Sequence, residues 1–274
     1  MTGAAQSEWQ QWCAEREQFL RAVPGNLALV DNQPLGDEPE PVDFVDGVSA
    51  WFVAGESGVR LRLAPGVSGQ VAGEPVSGEA FLPRLGPGGP FLRVGRFWVD
   101  AFSLEGAAYE LRIYDEDAAA LTNFAGIECY DYDPDLVRPA RFTAYDEVAA
   151  VPWEFTKEVD TGRPKSVPGE IAVDLADAVA TLLAFKDGPE LVLVFADATT
   201  GAESYAPGRF LRIPLPDADT DLQVDFNRAF IPPCGFSDFY SCPIPPTQNR
   251  LAAPIRAGER RAAWHTPRPG HGED

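Results

Sequence analysis

Apolar and polar residues alternate in several short runs along this chain. Five such runs, rich in β-branched or aromatic residues, lie between residues 48 and 115: VSAWFVA, VRLRL, FLRV, RFWVDAFSL and AAYELRIYD. Turns rich in glycine and proline, such as GESG and APGVSG, separate them. This combination is typical of antiparallel strands. The pattern resumes after residue 141, so we predict a mainly β protein with antiparallel sandwich-like or barrel-like lobes.

The first 25 residues have a different, helical spacing of apolar positions. The side chains that fall near one stripe are Trp9, Trp12, Cys13, Phe19 and Leu20. Ser7 can cap a helix there, and Pro24 cannot continue it. We therefore predict an N-terminal α-helix within residues 1–25, with Cys13 as a small core residue. Residues 173–185 (VDLADAVATLLAF) fit helical and strand spacing equally well.

Composition shifts between Pro134 and Pro139, where we place the boundary between two lobes. The predicted organisation is a first β lobe over 26–138, a second over 139–260 and a disordered tail over 261–274. One continuous β domain over the same residues is the alternative.

The net charge of −20 excludes general binding to nucleic acids or to anionic membranes, because phosphate groups would be repelled. No apolar run is long enough for a membrane span, and the N-terminus has no secretory signal pattern. We expect a soluble, cytoplasmic protein whose thiols stay reduced. The oligomeric state stays open.

Both histidines, His265 and His271, lie in the last ten residues. A histidine-ligated metal or a Ser-His-Asp arrangement would require this tail to fold back into the protein. The acidic segment 115–135 does not have the spacing of an EF-hand loop. We therefore predict no metal site and no cofactor.

The stretch 225–251 reads DFNRAFIPPCGFSDFYSCPIPPTQNRL and contains five prolines and two Asn-Arg pairs. Together with the upstream FADATTGAESYAPGRFLRIPLP and the downstream IRAGER, it resembles the DUF1684 family of bacteria and archaea. The resemblance is strongest from Phe195 to Glu259. It implies a mostly β fold of about this length, but no activity and no catalytic residues. The prolines themselves exclude a helix or a central strand in this stretch.

Cys234 and Cys242 have several possible roles in this stretch. A disulfide between them is disfavoured in a reducing compartment, and a zinc site would need two further soft ligands. A nucleophilic thiol would need a base, and histidine is missing from this region. We predict that both are buried structural anchors, because free cysteines are among the most buried residues.

The Arg and Asn residues of the same region are the candidate ligand-binding groups. A guanidinium binds carboxylates or phosphates bidentately, and clustered arginines attract a small anion to an otherwise negative protein. The alternative is that each arginine pairs with an acidic neighbour and each asparagine satisfies loop amides. The predicted binding residues for a small anionic molecule are Arg209, Asn227, Arg228, Asn249 and Arg250.

Whether the protein is an enzyme is open at this stage. A histidine-independent hydrolase or lyase would use carboxylates for proton transfer, with a tyrosine as donor. The candidates are Asp225, Glu259 and Tyr205. A third possibility is a structural or interaction protein, in which the whole motif serves only the fold.

Overall fold

The computed structural model describes residues 2–44, 49–83, 89–103, 109–175 and 178–268. The chain divides into two compact units. The inserted unit is Phe19–Thr122, and the terminal unit combines Met1–Gln18 with Asn123–Asp274. These limits differ from those of the lobes predicted over 26–138 and 139–260, because residues 1–18 and 123–138 cluster with the C-terminal part of the chain.

The N-terminal helix is confirmed as α1 (Thr2–Arg21). It ends before Pro24, whose ring and missing N–H cannot continue a helix. A short 3₁₀ turn, Asn26–Ala28, follows it.

The described residues of the inserted unit include ten short strands in two antiparallel sheets. The strands are β1 (Leu29–Leu35), β2 (Glu40–Asp43), β3 (Ser49–Gly55), β4 (Gly58–Leu63), β5 (Ser68–Val71), β6 (Glu74–Ser77), β7 (Glu79–Pro83), β8 (Leu92–Val94), β9 (Phe97–Ser103) and β10 (Tyr109–Asp115). One sheet has the order β1-β10-β9-β8-β5-β6, the other β2-β3-β4-β7. In β4, Val59, Leu61 and Leu63 are buried while Arg60 and Arg62 are exposed, as the alternation predicts.

The terminal unit contains the remaining strands. After α2 (Ala119–Asn123) come β11 (Phe124–Cys129), β12 (Val137–Phe155), β13 (Glu158–Asp174), β14 (Val179–Asp187), β15 (Glu190–Phe195), β16 (Arg209–Pro214), β17 (Thr220–Asp225) and β18 (Glu259–Trp264). Six strands form an antiparallel sheet in the order β16-β15-β14-β13-β12-β17, and β11 pairs with β18. The mainly β, antiparallel fold class is thus confirmed. Residues 173–185 fitted helical and strand spacing equally well, and their described residues lie mostly in strands β13 and β14.

Between β17 and β18 the chain has no long element, as its prolines require. This closing segment (residues 226–258) contains three 3₁₀ turns, Phe226–Arg228, Pro233–Gly235 and Thr247–Asn249. A fourth turn, Pro134–Leu136, precedes β12. Residues 261–264 lie in β18, where a disordered tail was predicted, because their backbone pairs with β11. Residues 269–274 lie outside the described part of the chain. Within the described residues, no helix is long and apolar enough to span a membrane.

Candidate functional site

Arg209 lies at the start of β16 and is fully buried. Its Nη2 donates to Asp197 Oδ2 and to the Ile255 carbonyl, each at 2.7 Å, and Nη1 donates to the Ala257 carbonyl. Asp197 in turn accepts from the backbone N–H of Thr199 at 2.7 Å. The guanidinium therefore ties the closing segment to β16 through the carbonyls of Ile255 and Ala257, and it forms a buried ion pair with Asp197.

Asn249 is also fully buried, and its side chain replaces a missing strand contact. The β14–β15 ladder stops at Ala184 and Leu193. At the next positions the Asn249 amide accepts from Leu183 N–H at 2.9 Å and donates to the carbonyls of Leu183 and Val194 at 2.8 and 2.7 Å. Because a side-chain amide has the donor and acceptor of a peptide group, it can bridge the two strands where they separate.

Asn227 has the same function at another place in the terminal unit. Its amide accepts from Asp133 N–H and donates to Asp133 C=O, both at 2.8 Å, and it also donates to Asp225 Oδ1 at 2.9 Å. The residue is fully buried. Its own carbonyl accepts from Trp9 Nε1 at 3.0 Å. Asn227 therefore connects the loop before β12, the end of β17 and helix α1.

The two arginines that follow these asparagines point towards solvent. Arg228 is 45% exposed, with Nε 3.5 Å from Asp225 Oδ2. Arg250 is exposed, and its side chain makes no hydrogen bond or ion pair with the described residues. The five predicted binding residues therefore do not lie together. Arg209, Asn227 and Asn249 are buried and hydrogen-bonded to separate parts of the unit, whereas Arg228 and Arg250 lie at the surface.

Two of the predicted acid–base groups already have donors on their carboxylates. Asp225 accepts from the Asn227 backbone N–H at 3.0 Å, besides the contacts given above. Glu259 is 1% exposed, and its two oxygens accept from Arg16 Nε at 3.0 Å and Ile231 N–H at 2.7 Å. Burial raises the pKa of Glu259, and the positive charge of Arg16 acts against this.

Tyr205 contacts Cys234, which in turn contacts Cys242, and both cysteines belong to the closing segment. Tyr205 OH donates to Cys234 Sγ at 3.5 Å, and the Cys234 N–H donates to Cys242 Sγ at 3.3 Å. Both cysteines are buried, and neither is in a disulfide. Burial, and next the charge on Cys234, raise the pKa of Tyr205 well above its usual range. The tyrosine is thereby held as a neutral hydrogen-bond donor.

Cys13 and Cys129 lie close enough to shift each other's pKa, which the sequence analysis did not predict. A hydrogen bond from Cys129 lowers the pKa of the Cys13 thiol, against the effect of burial. The same bond, with burial, raises the pKa of Cys129. Cys129 faces Glu259 in the β11–β18 ladder, and no local signal could have revealed that register. Among the described residues, no group of three or more His, Cys, Asp or Glu side chains could hold a metal.

A second group missed by the sequence analysis surrounds Tyr130. The guanidinium carbons of Arg260 and Arg209 lie 4.9 and 5.8 Å from the centre of its ring. Tyr130 OH donates to Glu203 Oε2 at 3.4 Å, and Glu203 accepts from Arg256 Nε and Nη2 at 2.9 and 2.6 Å. The hydrogen bond from Arg256 lowers the pKa of Glu203. We call these five residues the Tyr130 cluster. The arginine-rich run RAGERR was the signal for it in the sequence.

Arg260 has an unusual place in the Tyr130 cluster. Its Nε is buried and has no hydrogen-bond partner, as is also true of Arg209 Nε. Arg209 has a carboxylate partner, whereas the Arg260 guanidinium makes no ion pair with any residue in the described ranges. Arg260 is only partly buried. The cluster therefore presents one partly exposed guanidinium whose charge is not neutralised by a direct contact.

Comparisons with known proteins show that the C-terminal half of the chain matches a protein family. A family model described as a protein of unknown function (DUF1684) matches residues 122–260. A solved structure that the chain resembles is the solution NMR structure of an uncharacterised protein of Haloarcula marismortui. It is 31% identical, the match covers 50% of this chain and 77% of that chain, and the TM-score is 0.42. No curated protein matches the chain. The family resemblance predicted from the C-terminal motif is confirmed.

Proposed function

Because the chain belongs to the DUF1684 family, whose description names no activity, we propose a function from its own side chains: the terminal unit binds a small anionic metabolite at the Tyr130 cluster. The observation that supports this most is Arg260. Its guanidinium is partly exposed and has no counterion among the described residues, and its Nε is buried without a partner.

The chemistry of the guanidinium selects the class of ligand. Its planar fork matches the two oxygens of a carboxylate or phosphate, and stacking on Tyr130 at 4.9 Å holds the fork in place before the ligand arrives. In a chain of net charge −20, an unneutralised cation is a local minimum for an anion. Glu203 does not offset it fully, because Arg256 pairs with that carboxylate through two hydrogen bonds.

The residues predicted from the motif have a different part in this proposal. Arg209 supports the far side of the cluster, since its guanidinium also faces the Tyr130 ring. Asn227 and Asn249 hold the closing segment in shape by backbone-like hydrogen bonds. Arg250, exposed and without a described partner, is the competing position for the same kind of ligand.

The test measures the binding of inorganic phosphate and of succinate by thermal shift and by titration calorimetry. Arg260→Gln should weaken binding of the bound anion by about 10- to 100-fold, since a hydrogen bond to a charged group is worth about 1.5–3 kcal/mol. Arg212→Gln is the matched control, because Arg212 is an exposed arginine already paired with Asp187 and Glu190. Arg250→Gln tests the competing position.

Two results would contradict the proposal. One is unchanged anion affinity in Arg260→Gln while Arg250→Gln abolishes binding, which would move the site. The other is that neither phosphate nor succinate raises the melting temperature of the wild-type protein, under conditions in which the Arg212→Gln control is also folded.

Catalysis by carboxylates has less support from the contacts. Both oxygens of Glu259 accept hydrogen bonds inside the protein, and Asp225 caps the turn that follows it. A general base needs a free oxygen within hydrogen-bonding reach of the substrate. We therefore propose binding rather than acid–base turnover. The cytoplasmic location expected from the sequence stays a prediction.

A further inference from the structure

The thiols of Cys13 and Cys129 lie beside the same buried carboxylate, although they are far apart in the sequence. Cys129 is paired with Glu259 in the β11–β18 ladder, and Arg16, one helical turn after Cys13, donates to Glu259 Oε1 at 3.0 Å. Each thiol also shifts the pKa of the other through a hydrogen bond. Cys13 is on α1, and Cys129 is the last residue of β11. Both are free and partly exposed, whereas Cys234 and Cys242 are buried. A disulfide between Cys13 and Cys129 requires their sulfur atoms to approach to roughly 2.05 Å.

The contact lies in the middle of the face by which α1 packs on the terminal unit. Trp9, Cys13 and Arg16 follow one another at helical spacing, so they share this face. Trp9 donates to the Asn227 carbonyl at 3.0 Å, and Arg16 donates to Glu259 Oε1 at 3.0 Å. A covalent bond at Cys13 would therefore join the helix to the sheet between two existing polar contacts.

We propose that Cys13 and Cys129 form a reversible redox site, at which a low-molecular-weight disulfide converts the two thiols into an intramolecular disulfide that fastens α1 to β11. The site shares no residue with the Tyr130 cluster, so its test is independent of the anion-binding proposal.

The order of the two thiols follows from their contact. The hydrogen bond with Cys129 lowers the pKa of Cys13, so Cys13 is the thiol that ionises first. This thiolate attacks one sulfur of the small disulfide, forms a mixed disulfide and releases one small thiolate. Cys129 then loses its proton and attacks Cys13 Sγ, which releases the second. The two protein thiols are oxidised, the small disulfide is reduced to two thiols, and two protons pass to these products.

The experiment exposes the folded, full-length protein to oxidised glutathione, traps remaining thiols by alkylation and maps the digest by mass spectrometry. We expect a peptide that links Cys13 to Cys129, and a melting temperature several degrees higher than in the reduced protein. Treatment with a thiol reductant should remove the link and return the melting temperature to that of the reduced protein. In Cys129→Ser, where the second attack is impossible, a glutathione adduct should remain on Cys13.

The double variant Cys234→Ser/Cys242→Ser is the matched control, because it removes the buried pair and leaves the proposed one. It should still form the link between Cys13 and Cys129. The proposal is overturned if Cys13 and Cys129 are both alkylated after the oxidant treatment. It is also overturned if Cys13→Ser shows the same oxidant-dependent rise in melting temperature as the wild type, since the stabilisation would then arise elsewhere.

Discussion

Replacing Arg209 by methionine removes a buried cation and leaves its partner in place. Arg209 and Asp197 have fully buried side chains, 2.7 Å apart. Methionine has a similar length, so the change removes the charge and the donors with little loss of volume. Asp197 would then be a buried carboxylate with only backbone donors, Thr199 N–H at 2.7 Å and Ile255 N–H at 3.2 Å.

The expected loss of stability follows from this uncompensated charge. Removal of one partner from a buried ion pair destabilises proteins by about 3–5 kcal/mol. The carbonyls of Ile255 and Ala257 also lose their donor, which places the expected value in the upper part of that range. For a unit of this size, about 2–4 °C per kcal/mol converts the loss to a decrease in melting temperature of roughly 6–20 °C.

Arg212 offers a matched control on the same strand. It also pairs with carboxylates, Asp187 at 3.0 Å and Glu190 at 2.9 Å, but its side chain is 46% exposed. Arg212→Met should therefore destabilise by only about 0–1 kcal/mol. Urea unfolding followed by circular dichroism measures both variants.

The same assay includes a second substitution that separates charge from packing. Asp197→Asn, added to Arg209→Met, should recover part of the lost stability, because the neutral amide no longer buries an unpaired charge while its oxygen still accepts from Thr199. Equal losses for the Arg209 and Arg212 variants would refute the reasoning. No recovery in the double variant would show that the buried charge is not the cause.

Two further predictions concern other buried polar groups. Asn249→Ala leaves backbone groups of Leu183 and Val194 without partners and should reduce the free energy of unfolding by about 3 kcal/mol. Replacement of its exposed neighbour, Gln248→Ala, should change this free energy by less than about 0.5 kcal/mol in the same urea titration. Similar losses for both variants would argue against the bridging role of Asn249. Burial raises the pKa of Glu259, so the folded protein holds a proton on this carboxyl group more tightly than the unfolded chain does. The stability that this group contributes is therefore present at acid pH and is lost as the pH rises through the raised pKa. Unfolding measured across acid to neutral pH should show the wild type losing stability relative to Glu259→Gln as pH rises; a pH-independent difference would contradict this.

Local pattern was enough to predict part of this protein. The alternation of apolar and polar residues predicts antiparallel strands, as β4 shows, because each strand buries every second side chain. The helical stripe after Ser7 predicts α1, although the helix begins earlier, at Thr2. The prolines of the closing segment predict an irregular path, since each lacks an N–H for a ladder. The C-terminal motif identifies the family.

The environment of the individual side chains could not be read in this way. Arg209 and Arg212 lie three residues apart on β16 and so face opposite sides of the strand, but no local signal shows that Arg209 is fully buried with Asp197 as its partner. The two Asn-Arg pairs have the same letters, yet the asparagines are buried and the arginines face solvent. The direction of each side chain depends on which backbone groups lie opposite, and Asn249 finds its partners only where β14 and β15 separate.

The sequence by itself therefore determined the class of elements and the family, because hydrophobic periodicity and proline geometry act within a few residues. The tertiary structure decided which distant groups meet. Cys13 reaches Cys129 because α1 packs on β11. Cys129 faces Glu259 because β11 pairs with β18, although nearly half of the chain lies between the two residues. Such contacts arise from the pairing of remote strands and the closure of long loops, which leave no periodic trace in the residues between them.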